Sequence, residues 1–309
     1  MNKILITGSN GMVGKNLMPL INKNKNLYLI PTSKELNLLN KKNVRSYLSK
    51  HKIDIVLHLA AKVGGIQANI NNNFEFFLDN TIMNINLISE CYNFKISKFI
   101  NVASTCIYPA NIKAKLKENM LFDGKLEKTN EGYALSKINS LKLCQYINKK
   151  NKNLSYKTII PCNMYGPFDK FDPTNSHLVP AIIHKIVEAK NRNQDEVTIW
   201  GSGNARREFM FASDFGKILL KIINNFDQIP EVINIGTGKD YKISEYYKII
   251  ARLLSWKCKW RYDNSKPEGM KRKLADTKYQ NKLNLMPNTN LEIGIKKTIK
   301  YYLKTLDEK

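Results

Sequence analysis

The sequence contains no apolar run long enough to cross a membrane. A spanning helix needs about 20 consecutive apolar residues, whereas polar or charged residues interrupt every hydrophobic segment of these 309 residues well before that length. The chain also enters a β-branched segment at residues 3–7, without the cationic start and apolar stretch of a secretory signal. These two absences predict a cytoplasmic protein with no membrane partner.

Cysteine and histidine are scarce as well, with five and four residues. No two cysteines form a C-x-x-C pair, and their wide spacing predicts neither a zinc site nor a disulfide framework. We therefore expect a protein of a reducing compartment that holds no metal.

Acidic residues are few relative to basic ones, 26 against 50, which gives a formal net charge of +24. A field of this size attracts polyanions. The lysines, however, are interspersed with asparagine along the whole chain instead of gathering in a patterned patch. We therefore expect no nucleic-acid partner.

What the sequence does contain is a regular alternation of short apolar runs and longer segments with a helical period. Strands are predicted at 4–7, 27–30, 55–59, 99–103 and 158–161, with helices between them, notably at 74–94 and 130–149. Such alternation is typical of βαβ units, which form a parallel sheet covered by helices on both faces. The predicted fold class is α/β, a doubly wound parallel sheet (Rossmann) with a smaller α/β substrate-binding lobe.

The two predicted parts are interleaved along the chain. The pattern loosens after residue 166, and an apolar run at 232–235 has the character of a strand that returns to the main sheet. We therefore assign residues 1–166 plus about 211–238 to a nucleotide-binding domain, and about 167–210 plus 239–309 to the smaller lobe.

A glycine-rich segment follows the first predicted strand and opens a helix. Its glycines allow a tight turn and a close approach of backbone N–H groups to a pyrophosphate, and a helix N-terminus favours the negative charge. The spacing G-x-x-G-x-x-G is typical of short-chain reductases, although an ordinary turn has similar composition. The predicted dinucleotide site comprises Gly8, Ser9, Asn10, Gly11, Met12, Val13 and Gly14.

The end of the second predicted strand indicates which dinucleotide binds. An NAD site usually places an acidic residue there, against the ribose 2′-OH. Ser33 and Lys34 stand there instead, and a hydroxyl with a cation suits a 2′-phosphate. NADP(H) is therefore the expected cofactor, with a solvated turn as the alternative role for these two residues.

Three residues predict the chemistry. Tyr133 and Lys137 lie four residues apart, on one face of a predicted helix. A nearby ammonium stabilises a phenolate and lowers the tyrosine pKa from its usual ~10, which favours proton donation to a developing alkoxide. Ser104 follows the strand at 99–103, at the sheet edge where such folds bind ligands, and its hydroxyl can hold a carbonyl oxygen. The set predicts an oxidoreductase that acts at a carbonyl carbon.

Longer motifs make the chain similar to a known family. They are GMVG at 11–14, ELNLL at 35–39, AAKVGGI at 60–66, STCIYP at 104–109, PCNMYGP at 161–167, NSH at 175–177, WGSG at 200–203, REF at 207–209, SKP at 265–267 and RK at 272–273. Through them the chain resembles, nearly end to end, the GDP-L-fucose synthases, epimerase/reductases of the extended short-chain dehydrogenase/reductase group.

The resemblance implies roles that the reductase set leaves unexplained. It assigns to Cys106 and His177 the base and the acid that invert C3 and C5 of a 4-keto sugar; considered alone, they resemble a small buried hydrophobe and a loop residue. It also implies a homodimer formed through the helices at 74–94 and 130–149. The further contacts that it implies are Asn163, His177, Trp200, Arg207 and Arg272 with the GDP-linked sugar, and Ala60, Ala61 and Lys137 with the cofactor.

The chain also departs from that family. Ser9 and Asn10 replace the histidine–arginine pair usual in its glycine loop, and Pro31 and Ser33 stand where arginines are common. Preference for NADP(H) then depends on Lys34 or Lys15 as the compensating cation.

The expected function is NADPH-dependent reduction of the C4 keto group of a GDP-4-keto-6-deoxy sugar after C3/C5 epimerisation. The nearest alternative is a C4 reductase of a related GDP-4-keto-6-deoxy sugar, such as a heptose, with little or no epimerase activity. One extra carbon changes a pocket contact by only about 1–3 kcal/mol, so the sequence separates these two poorly. A non-catalytic NADPH-sensing protein and a polyanion-binding protein are alternatives from other classes.

Overall fold

The computed structural model describes residues 1–21, 26–172, 175–266 and 269–308, so Pro267 of the SKP motif lies outside the described residues. The strands are β1 (Lys3–Thr7), β2 (Leu27–Leu29), β3 (Ile55–His58), β4 (Lys98–Val102), β5 (Ser155–Pro161), β6 (Asn163–Tyr165), β7 (Glu196–Trp200), β8 (Arg206–Arg207), β9 (Phe209–Phe211), β10 (Val232–Ile235), β11 (Tyr241–Lys242), β12 (Lys259–Asp263) and β13 (Arg272–Lys273). The α-helices are α1 (Met12–Ile21), α2 (Lys41–Lys50), α3 (Ile66–Asn71), α4 (Asn73–Asn93), α5 (Glu131–Lys150), α6 (Leu178–Asn191), α7 (Ala212–Asn224), α8 (Ile243–Leu253), α9 (Lys278–Lys282) and α10 (Leu291–Asp307).

Six strands form the central sheet, in the order β10-β5-β4-β3-β1-β2. Every neighbouring pair in it is parallel. The direction of winding reverses between β1 and β3, and such a reversal opens a ligand crevice at the carboxyl ends of the strands. Gly8 and Leu59, which follow β1 and β3, therefore lie beside the crevice.

Helices cover both faces of the sheet because its strands bury apolar side chains on both sides. Leu17 of α1 and Phe215 of α7 pack in one core together with Ile4. Leu87 of α4 and Cys144 of α5 belong to a second core on the other face. Successive side chains of a strand point to opposite faces, so three consecutive residues of β1, Ile4, Leu5 and Ile6, are apolar and buried.

A separate hydrophobic core lies among α6, α8 and α10. Its fully buried side chains include Ile183, Ile250 and Ile295. Two small sheets flank it: β7 pairs with β12, and β8 lies between β11 and β13. We propose that this core belongs to the smaller lobe predicted from the sequence.

The predicted doubly wound fold is confirmed. The five strands predicted in the first half correspond to β1 through β5, and the apolar run at 232–235 is β10, which joins the central sheet beside β5. No helix in the described part of the chain has both the length and the apolar character that a membrane-spanning segment requires.

Candidate active site

A cavity of about 570 Å³ opens between the carboxyl ends of the sheet strands and α6. Most of the predicted catalytic and substrate residues line it, although they come from six different segments. The predicted residues in its wall are Ser104, Cys106, Tyr133, Asn163, His177, Trp200 and Arg207.

Ser104 and Cys106 are placed by the turn that follows β4. Ser104 has an extended backbone and caps a single 3₁₀ turn, where its Oγ accepts a hydrogen bond from the Cys106 N–H at 3.4 Å. The Cys106 thiol is buried, and burial raises its pKa. The ammonium of Lys273 is the largest influence in the opposite direction, followed by the Ser104 hydroxyl and Lys137. Burial therefore favours the protonated thiol of Cys106, whereas the neighbouring cations favour its thiolate.

Tyr133 and Lys137 both belong to α5, one turn apart. The Lys137 Nζ lies 5.8 Å from the centre of the Tyr133 ring and donates to the Val102 carbonyl at 2.9 Å. Burial lowers the pKa of Lys137 to about 8 and raises the pKa of Tyr133 well above its usual range. The sequence argument considered only the attraction of the ammonium, whereas the removal of the phenol from water has the larger effect. A protonated phenol is the form that a proton donor for carbonyl reduction requires.

His177 occupies the N-cap position of α6 and faces the same cavity. Burial, with a smaller contribution from Lys170, lowers the pKa of His177 to about 4. The imidazole is therefore neutral at physiological pH.

Gly65 packs the start of α3 against the loop that precedes His177. Its N–H donates to the Asn175 carbonyl, and a Cβ on Gly65 would stand 2.1 Å from the Ser176 backbone oxygen.

Cations and an indole line the middle of the cavity. Lys185 of α6 donates from Nζ to the Thr198 carbonyl at 2.9 Å and lies 5.6 Å from the Trp200 ring centre. Arg207 donates to the Arg206 and Met270 carbonyls while it lines the cavity. Guanidinium and ammonium groups bind diphosphate oxygens well, so this zone can hold a nucleoside diphosphate.

The register of β8 and β13 determines which of their basic residues face the cavity. Arg272 pairs with Arg206, and Lys273 pairs with Arg207. The first pair is bound to Asp240: Arg272 Nε donates to Oδ2 at 2.5 Å and Arg206 Nη2 to Oδ1 at 3.1 Å. The second pair lines the cavity. The structure therefore does not bring Arg272 to the site, and it places Lys273 there instead.

The glycine loop makes a tight passage between β1 and α1. Gly8 has a φ of +74°, and a Cβ on it would stand 2.5 Å from the Ala60 nitrogen; at Gly14 a Cβ would stand 2.4 Å from the Ser9 oxygen. The first backbone N–H groups of α1, including Met12 and Val13, have no partner within the helix. The loop thus fits a dinucleotide pyrophosphate, with Ala60 and Ala61 on its other side.

The end of β2 fits a 2′-phosphate. Ser33 and Lys34 are exposed there. Glu35, the next residue along the chain, is bound to its own loop, since its Oε2 accepts from the Thr32 N–H at 2.7 Å and from the Thr32 hydroxyl at 2.9 Å. Asn10 of the glycine loop is also exposed. A phosphate at the end of β2 would therefore meet the Lys34 cation and the Ser33 hydroxyl.

Sequence reasoning missed several charged residues in the cavity wall, namely Glu127, Lys185, Glu188, Arg192 and Lys273. Helical spacing from His177 was the available signal for Lys185 and Glu188. No such signal exists for Lys273, because its position depends on the pairing of β13 with β8. Within the described ranges, no group of three or more histidine, cysteine or acidic side chains is arranged to hold a metal.

The parallel sheet, the glycine loop at its winding reversal and the set of Ser104, Tyr133 and Lys137 define a short-chain dehydrogenase/reductase. More narrowly, the chain belongs to the NAD dependent epimerase/dehydratase family, whose model matches residues 4–236.

Three proteins to which the chain is similar have names that refer to GDP-sugars. It is 48% identical over 301 residues to GDP-L-colitose synthase of Yersinia pseudotuberculosis, covering 97% of this chain and 98% of that protein. It is 44% identical over 301 residues to GDP-L-fucose synthase of Azorhizobium caulinodans, covering 97% and 96%. Among solved structures, a GDP-mannoheptose C4 reductase of Campylobacter jejuni with NADP bound superimposes with a TM-score of 0.87 at 26% identity, covering 98% of both chains.

Proposed function

We propose that this protein is an NADPH-dependent enzyme that reduces the C4 keto group of a GDP-4-keto-6-deoxy sugar, after inversion at the carbons beside that carbonyl. The observation that carries the proposal is that one cavity is lined by Ser104 and Tyr133 of the reductase set, by the cysteine–histidine pair and by a cationic zone. A simple carbonyl reductase has no use for the second and third of these. The similar proteins named above support the GDP-sugar as the substrate class.

Inversion requires a proton to leave one face of the sugar and another to arrive at the opposite face. Cys106 comes from the sheet side of the cavity and His177 from the α6 side. We assign proton removal to the Cys106 thiolate, which the Lys273 and Lys137 ammonium groups favour. We assign proton delivery to His177, whose neutral imidazole has to take up a proton before it can act as the acid.

Reduction uses the other residue set. The Ser104 hydroxyl donates a hydrogen bond to the C4 carbonyl oxygen, and the protonated Tyr133 phenol delivers a proton to that oxygen as negative charge develops on it. Lys137 keeps a positive charge next to the phenol. NADPH, when bound along the glycine loop and near Ser33 and Lys34, supplies the hydride.

The test is incubation of the full-length protein with NADPH and GDP-4-keto-6-deoxy-mannose in D2O, with absorbance at the nicotinamide band and NMR of the product. We expect oxidation of NADPH and GDP-L-fucose that carries deuterium at C3 and C5. Absence of turnover with this substrate and with the alternatives below would refute the proposal.

A second candidate follows from the 48% identity to GDP-L-colitose synthase. Colitose is L-fucose without the 3-hydroxyl group, so its formation needs inversion at C5 alone. The matching substrate is the GDP-linked 4-keto-3,6-dideoxy sugar, and faster turnover of it than of the 6-deoxy sugar would favour this candidate. The reductase-only alternative, acting on a heptose, predicts a product without deuterium at either carbon.

The enzyme is further proposed to be a cytoplasmic homodimer. Its five cysteines are all free thiols, which suits a reducing compartment. Exposed apolar side chains follow one side of α4, among them Phe74, Leu78 and Ile85, and Tyr146 is exposed on the neighbouring α5. An apolar surface of this kind is typical of subunit contacts.

A further inference from the structure

The wall of the cavity runs along the whole of α6. The lining residues Leu178, Ala181, Lys185, Glu188 and Arg192 are spaced by three and four positions, so they share one helix face. The cavity therefore extends from the catalytic end at His177 to the last turn of the helix.

The helix provides a scale for the ligand. At a rise of 1.5 Å per residue, Lys185 lies about 12 Å from His177 along the axis and Glu188 about 16 Å. In an extended GDP-sugar, a diphosphate and a ribose separate the reacting sugar from the base. With the sugar at His177 and the diphosphate between Lys185 and Arg207, the base reaches the last turn of α6.

Glu188 is the acidic residue in the cavity wall at that end; the other acidic residue of the wall, Glu127, stands at the catalytic end beside Lys273. A carboxylate is unfavourable for a diphosphate and favourable for a base that presents two adjacent N–H donors. Guanine presents such a pair, N1–H and the 2-amino group, whereas adenine has an acceptor at N1. Arg192 pairs with the Glu188 Oε2 at 2.9 Å and so holds the carboxylate in place.

We propose that Glu188 selects guanine by accepting hydrogen bonds from its N1–H and its 2-amino group. This inference rests on the proposed GDP-sugar substrate and adds the residue that distinguishes the base. It accounts for an acidic side chain in the wall of a cavity that is otherwise suited to an anion.

The test uses two probes that differ only in the 2-amino group, GDP and inosine 5′-diphosphate, titrated calorimetrically into the full-length protein. The wild type should bind GDP about tenfold or more tightly than inosine diphosphate, because a hydrogen bond to a charged acceptor is lost with the latter. In Glu188→Gln, the affinity for GDP should fall by about tenfold, and the two affinities should become similar.

The sign of the effect separates recognition from general electrostatics. Removal of an acidic charge should strengthen binding of an anion if charge alone mattered, so weaker binding by Glu188→Gln is diagnostic. Glu292→Gln, which removes the same charge from an exposed ion pair with Arg252, is the matched control and should bind both probes like the wild type.

Two outcomes would overturn the inference in distinguishable ways. If the wild type binds GDP but Glu188→Gln keeps the wild-type ratio of GDP to inosine diphosphate affinity, Glu188 does not read the base, and the proposed function is unaffected. If the wild type binds neither probe, the GDP-sugar substrate itself is wrong.

Discussion

The proton donor of the reduction can be tested at a single atom. Tyr133→Phe removes the phenolic hydroxyl and leaves the ring in place, so NADPH affinity should be unchanged while C4 reduction slows by about 10²–10⁴-fold. Stopped-flow measurement of NADPH oxidation and fluorescence titration of NADPH report the two quantities separately. Wild-type turnover in this variant would remove Tyr133 from the mechanism.

Lys273 is predicted to set the pH range of the inversion step. Burial raises the pKa of Cys106 and the Lys273 ammonium is the largest influence that lowers it, so Lys273→Met should raise that pKa further. Entry of solvent deuterium beside the carbonyl depends on the thiolate, and its rise with pH should therefore move about one unit toward higher pH. Lys137, Tyr133 and the Ser104 hydroxyl, the other groups that face the thiol, are unchanged in the variant.

The matched control for this variant is Lys273→Arg, which keeps the charge and should restore the wild-type pH profile. An unshifted profile in Lys273→Met would show that the ammonium does not act on Cys106. A merely structural role would lower the rate at every pH without moving the profile.

At the scale of elements, Glu208 joins three segments that are distant in sequence. Its carboxylate, between β8 and β9, accepts from the N–H groups of Thr237 and Gly238 at 2.6 and 2.7 Å and from the Ala275 N–H at 2.8 Å. The side chain is 1% exposed, so water does not replace a lost partner. The contact ties the loop after β10 to the chain that follows β13.

Glu208→Gln should lower the free energy of unfolding by about 1–3 kcal/mol, because its amide NH2 would face a backbone N–H in place of an oxygen. Urea unfolding followed by circular dichroism measures the change in midpoint. Glu292→Gln at the exposed pair with Arg252 should change the midpoint little. Equal midpoints for Glu208→Gln and the wild type would show that the hydrogen bonds of the Glu208 carboxylate add no net stability.

Elements were predictable from sequence where their signal is local. The apolar runs of β1 to β5 and the glycines before α1 report their own structure, because strand period and turn geometry depend on near neighbours. The choice between Arg272 and Lys273 was not predictable, because it depends on how β13 pairs with β8. The direction of the Tyr133 pKa shift likewise depends on burial by residues far away in the sequence.

At the scale of the whole molecule, the predicted assembly is open to a direct test. Ile85 is 40% exposed on the apolar side of α4. Ile85→Lys would bury a charge in the proposed contact between subunits, so it should convert a dimer into a monomer. Size-exclusion chromatography with light scattering reports the mass; a wild type of 35.6 kDa in solution would contradict the dimer.

The spacing of the lining residues on α6 also limits how genes for such enzymes can change. Inserting one residue in the middle of α6 would rotate the rest of the helix by about 100°, so the side chains of its last turn would no longer face the cavity. Point substitutions near His177, in contrast, alter the wall at the sugar end and leave the far end untouched. A single substitution near His177 would therefore change the fit of the sugar, whereas a change in the length of α6 would alter the far end of the cavity.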